Sequence, residues 1–96
     1  MFQRAISADN ECDGAFAGLA EVAFNQGDYP RAVLSAKRAV ALVPSSAPYR
    51  MTLGKGYYKL MRYPDAIREW QKVLEIDPSN ALAQKDIELA KQKAGN

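Results

Sequence analysis

Slid along itself by 34 residues, this chain meets its own punctuation. Segment 13–46 lies over segment 47–80 with Leu19 on Leu53, Tyr29 on Tyr63, Pro30 on Pro64, Ala32 on Ala66, Pro44 on Pro78 and Ser45 on Ser79. Alike rather than identical are Phe24 and Tyr58, Val33 and Ile67, Arg38 and Lys72, and Leu42 and Ile76. A period of this length limits the chain to a stack of small supersecondary units. One unit cannot bury its apolar stripe alone, so neighbours must cover one another.

Each unit reads as two helices. Phe16, Leu19, Ala20, Ala23 and Phe24 fall at helical spacing, as do Leu53, Gly54, Tyr57 and Tyr58. Gly27-Asp28 breaks the first unit, whereas Met61-Arg62 stands at that turn in the second. Pro30 and Pro64 open the second helices, where the missing N–H costs nothing. Ala32, Val33, Ala36, Ala39 and Val40 then form an apolar face, matched by Ala66, Ile67, Trp70, Val73 and Leu74. Pro44 and Pro78 stop these helices. Ser46, with Pro48 after it, and Asn80 are the N-caps expected for the helices that follow.

The flanks continue the period. Thirty-four residues before Ala36-Lys37-Arg38-Ala39-Val40 stands Phe2-Gln3-Arg4-Ala5-Ile6, which reads as the second helix of an earlier, truncated unit. Residues 81–94 give one more helix with Leu82, Ile87 and Leu89 apolar and a charged opposite side, suited to cap a stack. The expected helices are 2–8, 13–26, 30–43, 47–60, 64–76 and 81–94.

The composition removes most chemistry. Histidine is absent, and with it the commonest general base and neutral metal ligand. The single cysteine, Cys12, excludes an internal disulfide and multi-thiolate zinc sites. Its neighbours Glu11 and Asp13 disfavour a thiolate. Asp65 and Glu69 stand one helical turn apart, but Arg68 and Lys72 alternate with them, so surface pairing accounts for all four. Asp86 and Glu88 read as a solvated face. Gly54-Lys55-Gly56 lies within a helical pattern without a preceding strand or a following Ser or Thr, so it is no phosphate loop. The net charge of +2 is too small to mark a nucleic-acid protein. No apolar run approaches the ~20 residues that span a bilayer, and the first residues do not form a secretory signal. No catalytic residue, metal site or cofactor is expected.

With its punctuation in place, the chain resembles the tetratricopeptide repeat family. The first unit carries Phe16, Leu19, Gly27-Asp28-Tyr29, Ala32, Ala39 and Pro44 of that pattern, with Ala20, Ala23 and Ala36 at its Gly, Tyr and aromatic positions. The second carries Leu53-Gly54, Tyr57, Tyr63, Ala66, Trp70 and Pro78, with Arg50 in place of the first aromatic and Val73 in place of an Ala. The resemblance implies an all-α fold, a right-handed superhelical stack of antiparallel helix pairs. It implies one domain over 1–96: 1–12 the end of a truncated repeat, 13–46 and 47–80 two full repeats, and 81–96 a capping helix, the whole cut from a longer protein. Gly54, Ala20, Ala32 and Ala66 would let paired helices approach, and Tyr57 and Trp70 would fill the space between units.

In that family the first helix of each unit lines a concave groove. The resemblance places Ala17, Glu21, Phe24 and Asn25 there, then Met51, Lys55, Tyr58 and Lys59, then Leu82, Lys85 and Leu89. Apolar centres ringed by lysines suit a peptide with bulky apolar groups and some acid. The partner-binding residues expected are therefore Phe24, Asn25, Met51, Lys55, Tyr58, Lys59 and Lys85. The clamp by which some members hold a chaperone's terminal carboxylate is not expected, because Ala17, Glu21, Thr52, Leu82 and Asp86 occupy its positions.

The expected role is a non-enzymatic protein–protein interaction module, an adaptor or scaffold, without nucleic-acid or membrane contacts in this segment. The alternative is self-association through an open edge at Phe2 and Ile6, covered by a second copy. The compartment is not legible, since a targeting signal belongs to whatever precedes a fragment.

Overall fold

The structure, a computed structural model, describes residues 12–95. Five α-helices follow one another among the described residues: α1 (Cys12–Asn25), α2 (Tyr29–Leu42), α3 (Ala47–Lys59), α4 (Tyr63–Ile76) and α5 (Ala81–Gly95). The expected helix 2–8 and its Phe2 and Ile6 edge lie outside the described residues.

The helix ends are where the local chemistry puts them. Asp28 caps α2, its Oδ1 accepting from the Arg31 N–H at 3.3 Å. Ser46 caps α3 by accepting from the Tyr49 N–H at 3.3 Å, and Asn80 caps α5 by accepting from the Ala83 N–H at 3.0 Å. At α4 the cap position is Arg62, which offers no side-chain acceptor. Asp65 in the first turn is held instead by Arg62 and Arg68 at 2.8 and 3.1 Å. Val43 and Asp77 leave the helical conformation one residue before Pro44 and Pro78, as proline demands of the residue before it.

The turns after α1 and α3 share one backbone form despite their different sequences. Gly27 has φ 79° and Met61 has φ 63°. Glycine enters this left-handed region freely, whereas a residue with a Cβ does so at a cost of ~1–2 kcal/mol. Met61 is also 72% exposed, so its side chain contributes little burial to offset that cost. Met61→Gly is therefore expected to stabilise the protein by ~0.5–1 kcal/mol. Urea unfolding followed by circular dichroism measures it, and an unchanged midpoint would refute it.

Packing is sequential and antiparallel: each helix lies against the next, and α1 also touches α3. The result is an elongated stack measuring 48 × 28 × 16 Å. Two apolar clusters hold it. The first joins Ala20 of α1, Val33, Ala36 and Val40 of α2 and Leu53 of α3. The second joins Ala66 and Trp70 of α4 to Ile87 and Ala90 of α5. Tyr57 borders both clusters, so one aromatic ring ties the two halves of the stack together.

Trp70 is 2% exposed and sits over Gly54, the small residue of the facing helix. A Cβ at Gly54 would overlap the indole Nε1 and come within 2.7 Å of Cδ1 and Cε2. The glycine is thus the space that the tryptophan fills.

Two readings of charge need correction. Glu69 does not pair along its own helix. It accepts a 2.8 Å bond from the Arg50 guanidinium of α3, with the two side chains only 14% and 12% exposed. Arg50 also donates from Nε to the Pro44 carbonyl at 2.8 Å. The arginine at the aromatic position therefore pins the α2–α3 turn to α4. Asp86 is likewise half-buried, not part of an open solvated face.

Candidate binding groove

α1, α3 and α5 hold the residues expected to face a partner, and the repeat places equivalent side chains on each. Phe24, near the end of α1, meets Tyr29, at the start of α2, edge to face with ring centroids 5.4 Å apart. One unit on, Tyr58 meets Tyr63 in the same way, also at 5.4 Å. Tyr58 further leans on Trp70 at 6.0 Å. Such pairs lock the rings at the ends of α1 and α3, leaving part of Phe24 and Tyr58 in solvent.

Lysines of α3 reach back over the first aromatic pair. The Lys55 amine stands 5.3 Å from the Phe24 ring centroid, and the Lys59 amine 6.0 Å from that of Tyr29. The ring faces attract the cations by ~0.5–1 kcal/mol at exposed positions. Lys55, Lys59 and Lys85 are exposed and make no salt bridge among the described residues. Their charge stays available to an incoming anion.

Two cavities open along this side. The first, of about 250 Å³, is lined by Glu21, Phe24, Asn25, Thr52 and Lys55. The second, of about 200 Å³, is lined by Lys55, Tyr58, Lys59, Trp70, Asp86 and Leu89. Burial pushes the Asp86 carboxyl above its ordinary value, with the Lys55 and Lys85 charges opposing that shift.

Of the expected residues, Phe24, Asn25 and Lys55 come together at the first cavity, and Lys55, Tyr58 and Lys59 at the second. Met51 instead packs half-buried against the second core cluster. Lys85 is exposed and lines neither cavity, reaching the site only through its field on Asp86. Trp70 was expected in packing alone, yet it forms one wall of the second cavity. Asp86 was assigned to the wet face. Its sequence signal is the 34-residue step from Thr52, which lines the first cavity with Phe24.

A third hollow, of about 360 Å³, lies between α1 and α2, with Phe16, Leu19, Val22 and Leu34 in its lining and Arg31 and Arg38 among its polar groups. Leu19, Val22 and Leu34 are each more than half exposed. Leu53, the repeat equivalent of Leu19, is 3% exposed and lies in the cluster formed with α2.

Among the described residues no three His, Cys, Asp or Glu side chains are grouped to hold a metal. No helix among them is long and apolar enough to cross a membrane.

Known proteins are similar to this chain over part of their length. The pattern of the tetratricopeptide repeat family matches residues 1–47. Sperm-associated antigen 1 of Mus musculus is 33% identical over 66 residues, which is 69% of this chain and 7% of that protein. Its Homo sapiens namesake is 34% identical over 61 residues, 64% of this chain and 6% of that protein. Small glutamine-rich tetratricopeptide repeat-containing protein 2 of Mycosarcoma maydis is 32% identical over 72 residues, 74% of this chain and 20% of that protein. The chain thus matches a fifth or less of each relative's own length. Paired antiparallel helices stacked in series, in a chain whose sequence matches these proteins, establish homology to the tetratricopeptide repeat family.

Proposed function

We propose that this chain is a non-enzymatic protein-interaction module that holds a segment of a partner protein along the side formed by α1, α3 and α5. Residues 13–46 and 47–80 act as two repeats and residues 81–96 as the closing helix. The observation that carries the reading is the pair of half-exposed aromatics, Phe24 and Tyr58, each set beside a cavity and flanked by lysines without an ionic partner among the described residues. Buried apolar anchors with a charged rim are what a peptide-binding surface requires. Apolar groups of the partner would meet the aromatics, and acidic groups would meet Lys55, Lys59 and Lys85.

Tyr58→Ala tests this reading. A partner captured by the full-length protein should bind the variant at least about tenfold more weakly, the range of an aromatic hot spot. Helicity by far-UV circular dichroism should persist. Unchanged affinity would remove Tyr58 from the binding surface.

The α1–α2 hollow favours a second reading, self-association. Leu19, Val22 and Leu34 are each more than half exposed, and a second copy seated on them would bury their apolar surface. Light scattering over a concentration series should then show a dimer that Leu19→Glu dissolves. A monomer at every concentration ends this reading.

A further inference from the structure

The two cavities on the α1–α3–α5 side are one cavity repeated. Adding 34 to the first set of lining residues turns Glu21 into Lys55, Phe24 into Tyr58, Asn25 into Lys59, Thr52 into Asp86 and Lys55 into Leu89. Each of these products lines the second cavity. The sixth residue there, Trp70, corresponds to Ala36, which is buried in the first core cluster and lines no part of the first cavity. The repeat therefore builds the same hollow twice, keeps an aromatic in each, and changes the character of every other position. Lys55 belongs to both and is the wall between them.

The changes give the two hollows different tastes. In the first, Glu21, Asn25 and Thr52 surround Phe24 with hydrogen-bonding groups. The Thr52 hydroxyl already donates to the Pro48 carbonyl at 3.1 Å, so it faces a ligand as an acceptor, as does the Glu21 carboxylate. In the second, Tyr58 and Leu89 offer apolar surface, with the buried Trp70 behind them. Glu21 opposes a carboxylate deep in the first and Asp86 opposes one deep in the second, whereas Lys55, in both linings, and Lys59, in the second, draw it towards their exposed amines. At the shared wall it meets the Lys55 amine, and the exposed Lys59 and Lys85 add to the positive field.

We propose that the groove reads an ordered three-part segment: a hydrogen-bond-donating side chain in the α1–α3 cavity, a carboxylate on Lys55, and a bulky apolar side chain in the α3–α5 cavity. This rests on the groove reading above and names the partner class for it. Asp86 is a specificity residue in this scheme, keeping acid out of the apolar hollow.

Fluorescein-labelled peptides test it by anisotropy against the full chain. The probe carries Ser, Asp and Leu at alternate positions of a glycine background, so that an extended peptide points all three one way. Replacing Asp with Asn should weaken binding about three- to tenfold, the range of a partly exposed charged contact. Replacing Leu with Ser should weaken it about tenfold or more, and reversing the order should weaken it too. Lys55→Gln should erase the distinction between Asp and Asn while keeping that between Leu and Ser. Asp86→Asn should admit a probe with Glu in place of Leu. Equal binding of the Asp and Asn probes, or a distinction that survives Lys55→Gln, would overturn the proposal. So would the failure of every probe to bind. The broader groove reading stands or falls separately, on the response of a captured partner to Tyr58→Ala.

Discussion

Trp70→Ala should cost ~3–5 kcal/mol, the range for truncating a fully buried aromatic. The total stability of a chain this size is only ~5–14 kcal/mol. The indole is 2% exposed, donates from Nε1 to the Met51 carbonyl at 3.4 Å, and packs with Ala66, Ile87 and Ala90. Its removal leaves a void between α3, α4 and α5 that the Gly54 backbone cannot close, since glycine has no side chain to move in. The midpoint of thermal unfolding should fall by at least ~12 °C, at ~4–8 °C per kcal/mol for a domain of this size. Far-UV circular dichroism is the measurement to use, because the variant removes the chain's only tryptophan. A loss below ~1 kcal/mol would mean that Trp70 is not the keystone of the second cluster. Trp70→Phe should be milder.

Arg50→Ala should rank next, at ~2–4 kcal/mol, near the low end for breaking a buried ion pair because a little exposure remains. Its effect has two parts. Glu69 loses its 2.8 Å partner while staying only 12% exposed, and the Pro44 carbonyl loses a 2.8 Å donor. A surface ion pair, such as that between Arg31 and Asp28, is worth ~0–1 kcal/mol by comparison. The double variant Arg50→Met/Glu69→Leu should recover most of the loss, since it removes the stranded charge together with its partner. Chemical denaturation of the two variants decides the matter. If Arg50→Ala costs under ~1 kcal/mol, the pair behaves as a surface bridge.

Much of the fold was legible because its signals are local. Asp28, Ser46 and Asn80 cap helices through N–H groups three residues on, and Pro44 and Pro78 constrain the residue before each. Such effects need no knowledge of distant neighbours, and the five described helices start and stop within a residue of expectation. The turn at Met61 shows the limit of reading by residue type. Without its glycine the turn keeps the same left-handed backbone, because the packing of α3 on α4 outweighs a local preference of ~1–2 kcal/mol.

The candidate site was legible in part. Of the residues named by repeat position, Phe24, Asn25, Lys55, Tyr58 and Lys59 line the two cavities, and Met51 packs half-buried against the second core cluster. The sequence by itself determined a stack of helices, their ends and which residues share a helix face, because these depend on spacings of a few residues. Only the tertiary structure decided that Glu69 turns inward to Arg50, that Trp70 walls a cavity, and that Asp86 sits half-buried beside lysines. Each of these depends on which side chain from another helix arrives within a few ångströms. That distance is set by the packing of α3 between its neighbours, and no local spacing encodes it.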